Sequence, residues 1–171
     1  KLSDMSEDGL ILYLELTISI AQENKDRLSQ IWPSVKHHLQ WLTTTFGKNP
    51  HVVERAVVGL LRIANRNLFR LKDDIAEEVL QSLNMLLKLP PPAMFMFSRQ
   101  IAYGLHELLR TNAANVHHRD HWALLFALLE ACGAGAYPEE QHIHVEHTTN
   151  GRTIAAERNA FSDSEDRTLR R

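Results

Sequence analysis

Apolar residues recur every three or four positions along most of the first 135 residues, the period of an amphipathic helix. Leu10, Ile11, Leu14, Ile18 and Ala21 form the first such series. Ser6 precedes it as a capping residue, with Glu7 and Asp8 where the helix dipole favours negative charge, so a helix is predicted over residues 6–24. A second series, Ile31, Val35, His38, Leu39 and Leu42, predicts a helix that tolerates Pro33 only near its first turn. Gly47-Lys48-Asn49-Pro50 closes it, and Asn49 then caps a third helix with Pro50 at the favoured first position.

That third helix runs to about Leu68 and buries Val53, Ala56, Val57, Leu60, Leu61 and Ala64. Asp73 or Asp74 caps a fourth, carrying Ile75, Val79, Leu80, Leu83, Leu86 and Leu87, which Pro90-Pro91-Pro92 stops. A fifth holds Ile101, Ala102, Leu105, Leu108 and Leu109, and Asn112-Ala113-Ala114-Asn115 reads as a turn. The sixth holds Trp122, Leu125, Phe126 and Leu129 and ends at Gly133 or Gly135. The predicted class is all-α. Helix pairs recur about every 40 residues, the spacing of a HEAT or armadillo-like α-solenoid. A compact helical bundle is the competing architecture.

Composition divides the chain at Gly135. Of its 21 acidic and 19 basic residues, seven and five lie in 136–171, so the helical body 1–135 is neutral. The stretch 136–171 is too polar to offset its ordering entropy and is expected to be a disordered linker or tail. The formal net charge of −2 gives no global attraction to nucleic acid or anionic membrane. A single cysteine, Cys132, excludes an intramolecular disulfide and predicts a cytosolic setting. Neither a bilayer-spanning run nor a signal-peptide pattern is present. With Lys1 in place of an initiator methionine, the chain is expected to be a piece of a longer protein.

Candidate chemistry is sparse. His117, His118 and His121 cluster, as do His142, His144 and His147, but without a second-shell pattern or the H-E-x-x-H spacing of a zinc site. They read as solvated loop histidines, and no metal or cofactor is expected. Cys132 lies at the apolar end of the sixth helix and reads as a small core residue. His106-Glu107 lacks a second histidine four residues on, and no phosphate-cradling glycine loop occurs. No catalytic residue is assigned. Arg55, Arg62, Arg66 and Arg70 fall within a sector of about 80° on the third helix. They form a ridge suited to an acidic partner or an inositol-lipid head group, or a solvated face paired with Glu54, Asp73 or Glu77. In the tail, Ser162 and Ser164 precede acids within Phe161-Ser162-Asp163-Ser164-Glu165-Asp166, a pattern accessible to acid-directed kinases.

Three stretches carry a resemblance: residues 23–39 (ENKDRLSQIWPSVKHHL), 53–67 (VERAVVGLLRIANRN) and 102–135 (AYGLHELLRTNAANVHHRDHWALLFALLEACGAG). Together they resemble the large Golgi brefeldin-A-resistance family of guanine nucleotide exchange factors for Arf GTPases. The similar region is a helical homology region downstream of the catalytic exchange domain. The resemblance covers residues 10–135, with a departure over 88–98, and Ser-Asp-Ser-Glu is similar to the family's following linker. It implies a parent that exchanges nucleotide on Arf at Golgi membranes and starts COPI recruitment. The family's catalytic glutamate sits on a loop that has no counterpart here. What the resemblance implies for this stretch is therefore a non-catalytic scaffolding and regulatory role. It also implies contacts with neighbouring domains, Arf engaged through the parent, and a cytoplasmic location peripheral on the Golgi. A generic α-solenoid adaptor gripping a partner segment is the alternative.

Overall fold

The computed structural model describes residues 6–44 and 49–133, and the backbone of two strands at 145–149 and 152–156. The chain divides into two units, Lys1–Gly135 and Ala136–Arg171.

The first unit is helical. Helix α1 spans Glu7–Glu23; Ser6 is its N-cap, its hydroxyl accepting from the Gly9 amide at 3.3 Å. After a 3-10 turn at Lys25–Arg27, α2 runs over Leu28–Thr43 with Pro33 in its second turn. Helix α3 occupies Pro50–Asn67, opened by Pro50 as expected, although the Asn49 side chain makes no capping bond. Next come a 3-10 turn at Leu68–Arg70, α4 at Asp73–Ser82, α5 at Asn84–Leu87, α6 at Pro91–Asn112, and α7 at Arg119–Ala131. Gly133 follows α7 with φ +89°, the left-handed conformation that ends helices and suits glycine.

Three boundaries differ from the pattern-based expectation. Lys72, not an aspartate, holds the N-cap of α4, so Asp73 and Asp74 sit inside its first turn, where the dipole favours acids. The fourth predicted helix is broken at Leu83, whose amide bonds to Leu80 three residues back, and the Ser82 hydroxyl takes the Glu78 carbonyl at 2.7 Å. Such back-bonding bends a helix. Finally, the proline run opens α6 rather than only stopping its predecessor. Pro90 is the N-cap and Pro91 and Pro92 lie in the first turn, where a missing amide costs nothing. Helix α6 therefore begins ten residues before Ile101.

The helices pack as pairs in two layers. In one layer α3 lies between α1 and α6; in the other α4 and α5 lie between α2 and α7. Within the first layer the contacts climb together: Ile18 meets Gly59 and Ala21 meets Asn67, while Leu61 meets Gly104 and Asn112 meets Asn65. Successive first-layer helices thus run in the same direction. Direct packing of parallel alternate helices is the signature of an α-solenoid stack and distinguishes it from an up-and-down bundle. One continuous core fills the space between layers, including Leu14, Trp32, Leu39, Leu60, Phe97 and Leu125.

Close approach within the first layer depends on two glycines. A Cβ on Gly59 would overlap Ile18, and one on Gly104 would stand 2.7 Å from Leu61 Cδ1. Three asparagines tie the same seams, Asn67 and Asn112 buried and Asn65 half-buried. Asn65 donates to the Gly104 carbonyl at 3.0 Å, Asn67 to that of Ala21 at 3.3 Å, and Asn112 to that of Asn65 at 3.1 Å.

In the second unit, β1 (Val145–Thr149) pairs antiparallel with β2 (Arg152–Ala156), Thr149 opposite Arg152 and Val145 opposite Ala156. The Asn150-Gly151 dipeptide, between two runs holding β-branched residues, is a local hairpin cue. The remaining tail residues, including Ser162 and Ser164, lie outside the described residues.

Candidate interaction surfaces

Arg55, Arg62 and Arg66 project from α3, whereas Arg70 falls on the 3-10 turn beyond its end. All four are exposed. Two are ion-paired to α1: Arg62 to Glu15 at 3.0 Å and Arg66 to Glu23 at 2.7 Å. Arg70 lies 4.7 Å from the Phe69 ring centroid, within cation–π range. Arg55 has no ion-pair partner among the described residues. Two of the three acids that sequence proximity suggested are used otherwise: Glu54 accepts from Gln100 at 3.0 Å, and Glu77 meets His118 at 2.6 Å. The ridge therefore ties α3 to α1 as well as facing solvent. Helix-to-helix pairing across so many residues leaves no local signal.

Beside this ridge a groove of about 580 Å³ follows the α3–α6 seam. Val58, Leu61 and Gly104 form its apolar base, and Arg62, Arg66, Phe69, Tyr103 and Glu107 stand around it. Glu107 is held by Arg110 through two hydrogen bonds, at 3.2 and 2.7 Å. Those bonds keep its carboxyl below the usual range.

A second surface lies on the outer side of α1. Helix α1 is apolar on two faces. Leu10, Leu14 and Ile18 are buried, while Leu12, Leu16 and Ile20 are 63%, 55% and 55% exposed. Tyr13 lies alongside, edge-on to His38 with centroids 5.4 Å apart, and His38 stacks on Trp41 at 6.0 Å. Burial, and then the neighbouring His37, lower the His38 pKa below its ordinary 6.5. The fold thus favours neutral His38. As pH falls through about 6.5 the unfolded chain takes up this proton first. By urea unfolding, stability is expected to decline as pH falls through about 6.5 and below, and to decline less in His38→Phe.

Among the histidines, His118 and His121 pack edge-on at 5.6 Å at the start of α7, His121 buried and His117 exposed. No group of three His, Cys, Asp or Glu side chains among the described residues is arranged to hold an ion. His147 lies on β1, while His142 and His144 lie outside the described residues. Cys132 is half-buried rather than fully in the core, at the C-cap of α7; burial pushes its thiol up, which disfavours the nucleophilic thiolate. Among the described residues no helix is long and apolar enough to cross a membrane.

No protein-family model matches the chain, and no solved structure does. Curated relatives do. The chain is 60% identical over 139 residues to the Golgi-specific brefeldin A-resistance guanine nucleotide exchange factor 1 homolog of Caenorhabditis elegans, covering 81% of this chain and 7% of that protein. It is 32% identical over 127 residues to each of two Arabidopsis thaliana proteins, the ARF guanine-nucleotide exchange factors GNOM and GNL1, covering 74% of this chain and 9% of theirs. The chain thus spans less than a tenth of the length of these relatives. It belongs, as the counterpart of one such stretch, with the large Arf guanine-nucleotide exchange factors that its sequence resembles.

Proposed function

We propose that this chain is a non-catalytic helical module of a Golgi Arf exchange factor. In this reading it supports recruitment to the cytoplasmic face of Golgi membranes, autoregulation and contacts with neighbouring domains in COPI traffic, and Arf is engaged elsewhere in the parent. The name of the C. elegans relative supports the Golgi setting.

The observation that carries the modular role is the outer face of α1. In a solenoid each pair buries its apolar faces on its neighbours, and a terminal unit in water needs a polar outer face. Helix α1 packs on α2 and α3, yet presents Leu12, Leu16 and Ile20 to solvent at one-turn intervals. Such a stripe suits a further helical segment of the parent, and its cost in water favours that covered state. The ridge fits less well with a membrane surface, because Glu15 and Glu23 already offset two of its four charges.

The test is a full-length exchange factor with Leu12→Gln, Leu16→Gln and Ile20→Gln. These side chains are exposed, so the fold of this module is expected to persist. Golgi recruitment in cells is expected to fall several-fold while exchange on Arf in solution, without membranes, stays at the parent's rate. Unchanged recruitment would remove the support for this reading. Loss of solution exchange would point to a direct catalytic contribution instead.

A further inference from the structure

The α3–α6 groove, on a different surface from the α1 stripe, has the features of a peptide site. It draws its lining from α1, α3, the turn after α3, and α6, so the second layer is not part of it. From Val58 to Arg66 its α3 wall covers eight residue steps, about 12 Å of helix, and Phe69 on the turn after α3 lengthens it. That matches about two turns of a docked helix, the span of i to i+7. The volume of about 580 Å³ lies within the usual range of ligand-binding clefts.

Its chemistry is selective. Tyr103 and Phe69 are 68% and 54% exposed although each borders an apolar base. Aromatic residues and arginine are the side chains that most often dominate binding. Arg62 and Arg66 each contact their α1 carboxylate through one terminal nitrogen, Nη1 and Nη2 respectively. A guanidinium has five N–H donors in a planar fork, so each keeps donors for a second carboxylate. The α1 partners meanwhile hold each fork in place, which reduces the ordering cost of binding. Among the residues around the groove the carboxylate is Glu107, and Arg110 occupies it. Arg70 adds a further cation at the Phe69 end.

We propose that this groove binds an acidic amphipathic helix of a partner protein. Aliphatic or aromatic side chains at i, i+3 or i+4, and i+7 lie on Val58, Leu61 and Gly104, and flanking carboxylates reach Arg62 and Arg66. The proposal does not depend on the role of α1.

A fluorescein-labelled helical peptide, with Leu and Phe on one face and Glu on both flanks, tests it by anisotropy against the full 171-residue chain. A matched peptide carries Gln for every Glu, and vesicles of phosphatidylserine and phosphatidylcholine serve as a third probe. The acidic peptide is expected to bind saturably and to weaken as salt rises. Its affinity is expected to fall about tenfold or more in Arg62→Gln with Arg66→Gln, as two charge-assisted contacts are lost. The Gln peptide is expected to lose a similar factor against the unaltered chain. Tyr103→Ala, at a position whose exposure makes misfolding no concern, is expected to weaken both peptides and decides the matter if the arginine variant is poorly folded. Equal binding of the two peptides, binding indifferent to Tyr103→Ala, or no saturable binding below about 1 mM overturns the proposal. Vesicle binding without peptide binding does so too, and would mark a lipid surface.

Discussion

Trp32→Ala is expected to lower the free energy of unfolding by about 3–5 kcal/mol, the usual cost of truncating a fully buried aromatic side chain. Trp32 lies in α2 and has no exposed surface, within the cluster that joins the two layers. Truncation removes most of the indole's buried area and leaves a cavity that two packed helical layers cannot close by moving one side chain. The comparison with Trp32→Phe sharpens the prediction. The indole Nε1 is buried and has no hydrogen-bond partner among the described residues, an arrangement that itself disfavours the folded state. Phenylalanine removes that N–H while keeping most of the ring, so it is expected to cost clearly less than alanine. Urea unfolding of the three chains checks the order. Similar losses for both variants would show that the N–H contributes more than the ring's volume.

Gly59→Leu is expected to destabilise by about 3 kcal/mol or more, at the upper end for overpacking. Glycine inside an exposed helix usually costs about 1 kcal/mol relative to alanine, so a helix former here would ordinarily stabilise. The α1–α3 crossing reverses that sign. Even a Cβ at this position meets the γ and δ carbons of Ile18, which is itself fully buried and β-branched. Ile18 has few rotamers available in a helix, so α1 must move away, loosening the seam that Asn67 also bridges. A reciprocal change gives the decisive measurement. Ile18→Ala alone is expected to cost about 2–5 kcal/mol through its cavity. Combined with Gly59→Leu it is expected to cost well under the sum, because the leucine occupies the vacated space. Strict additivity would show that the two positions do not share one contact.

The same seam shows why the fold class was legible and the surfaces were not. Apolar period, the Ser6 cap, Pro50 at a helix start and Gly133 after a helix end are local signals, and each concerns a few neighbouring residues. They located every helix except the opening turns of α6 and the break at Leu83. The latter turns on a hydroxyl-to-carbonyl bond rather than on hydrophobicity. The short hairpin at 145–149 and 152–156 follows a local signal too, the Asn150-Gly151 dipeptide between its strands.

By itself the sequence determined that the described residues up to Gly133 form amphipathic helices in pairs, that Arg55, Arg62 and Arg66 share one face of α3, and which family the chain resembles. Periodicity reports which side of a helix avoids water, since that choice is made residue by residue. Tertiary structure alone decided what each face meets. Arg62 finds Glu15, 47 residues away, and Arg66 finds Glu23, 43 residues away. Leu14 is buried while Leu12 and Leu16 stand in solvent on the same helix. Those outcomes follow from how α1, α3 and α6 interlock at Gly59 and Gly104, where packing sets the register between helices distant in the chain.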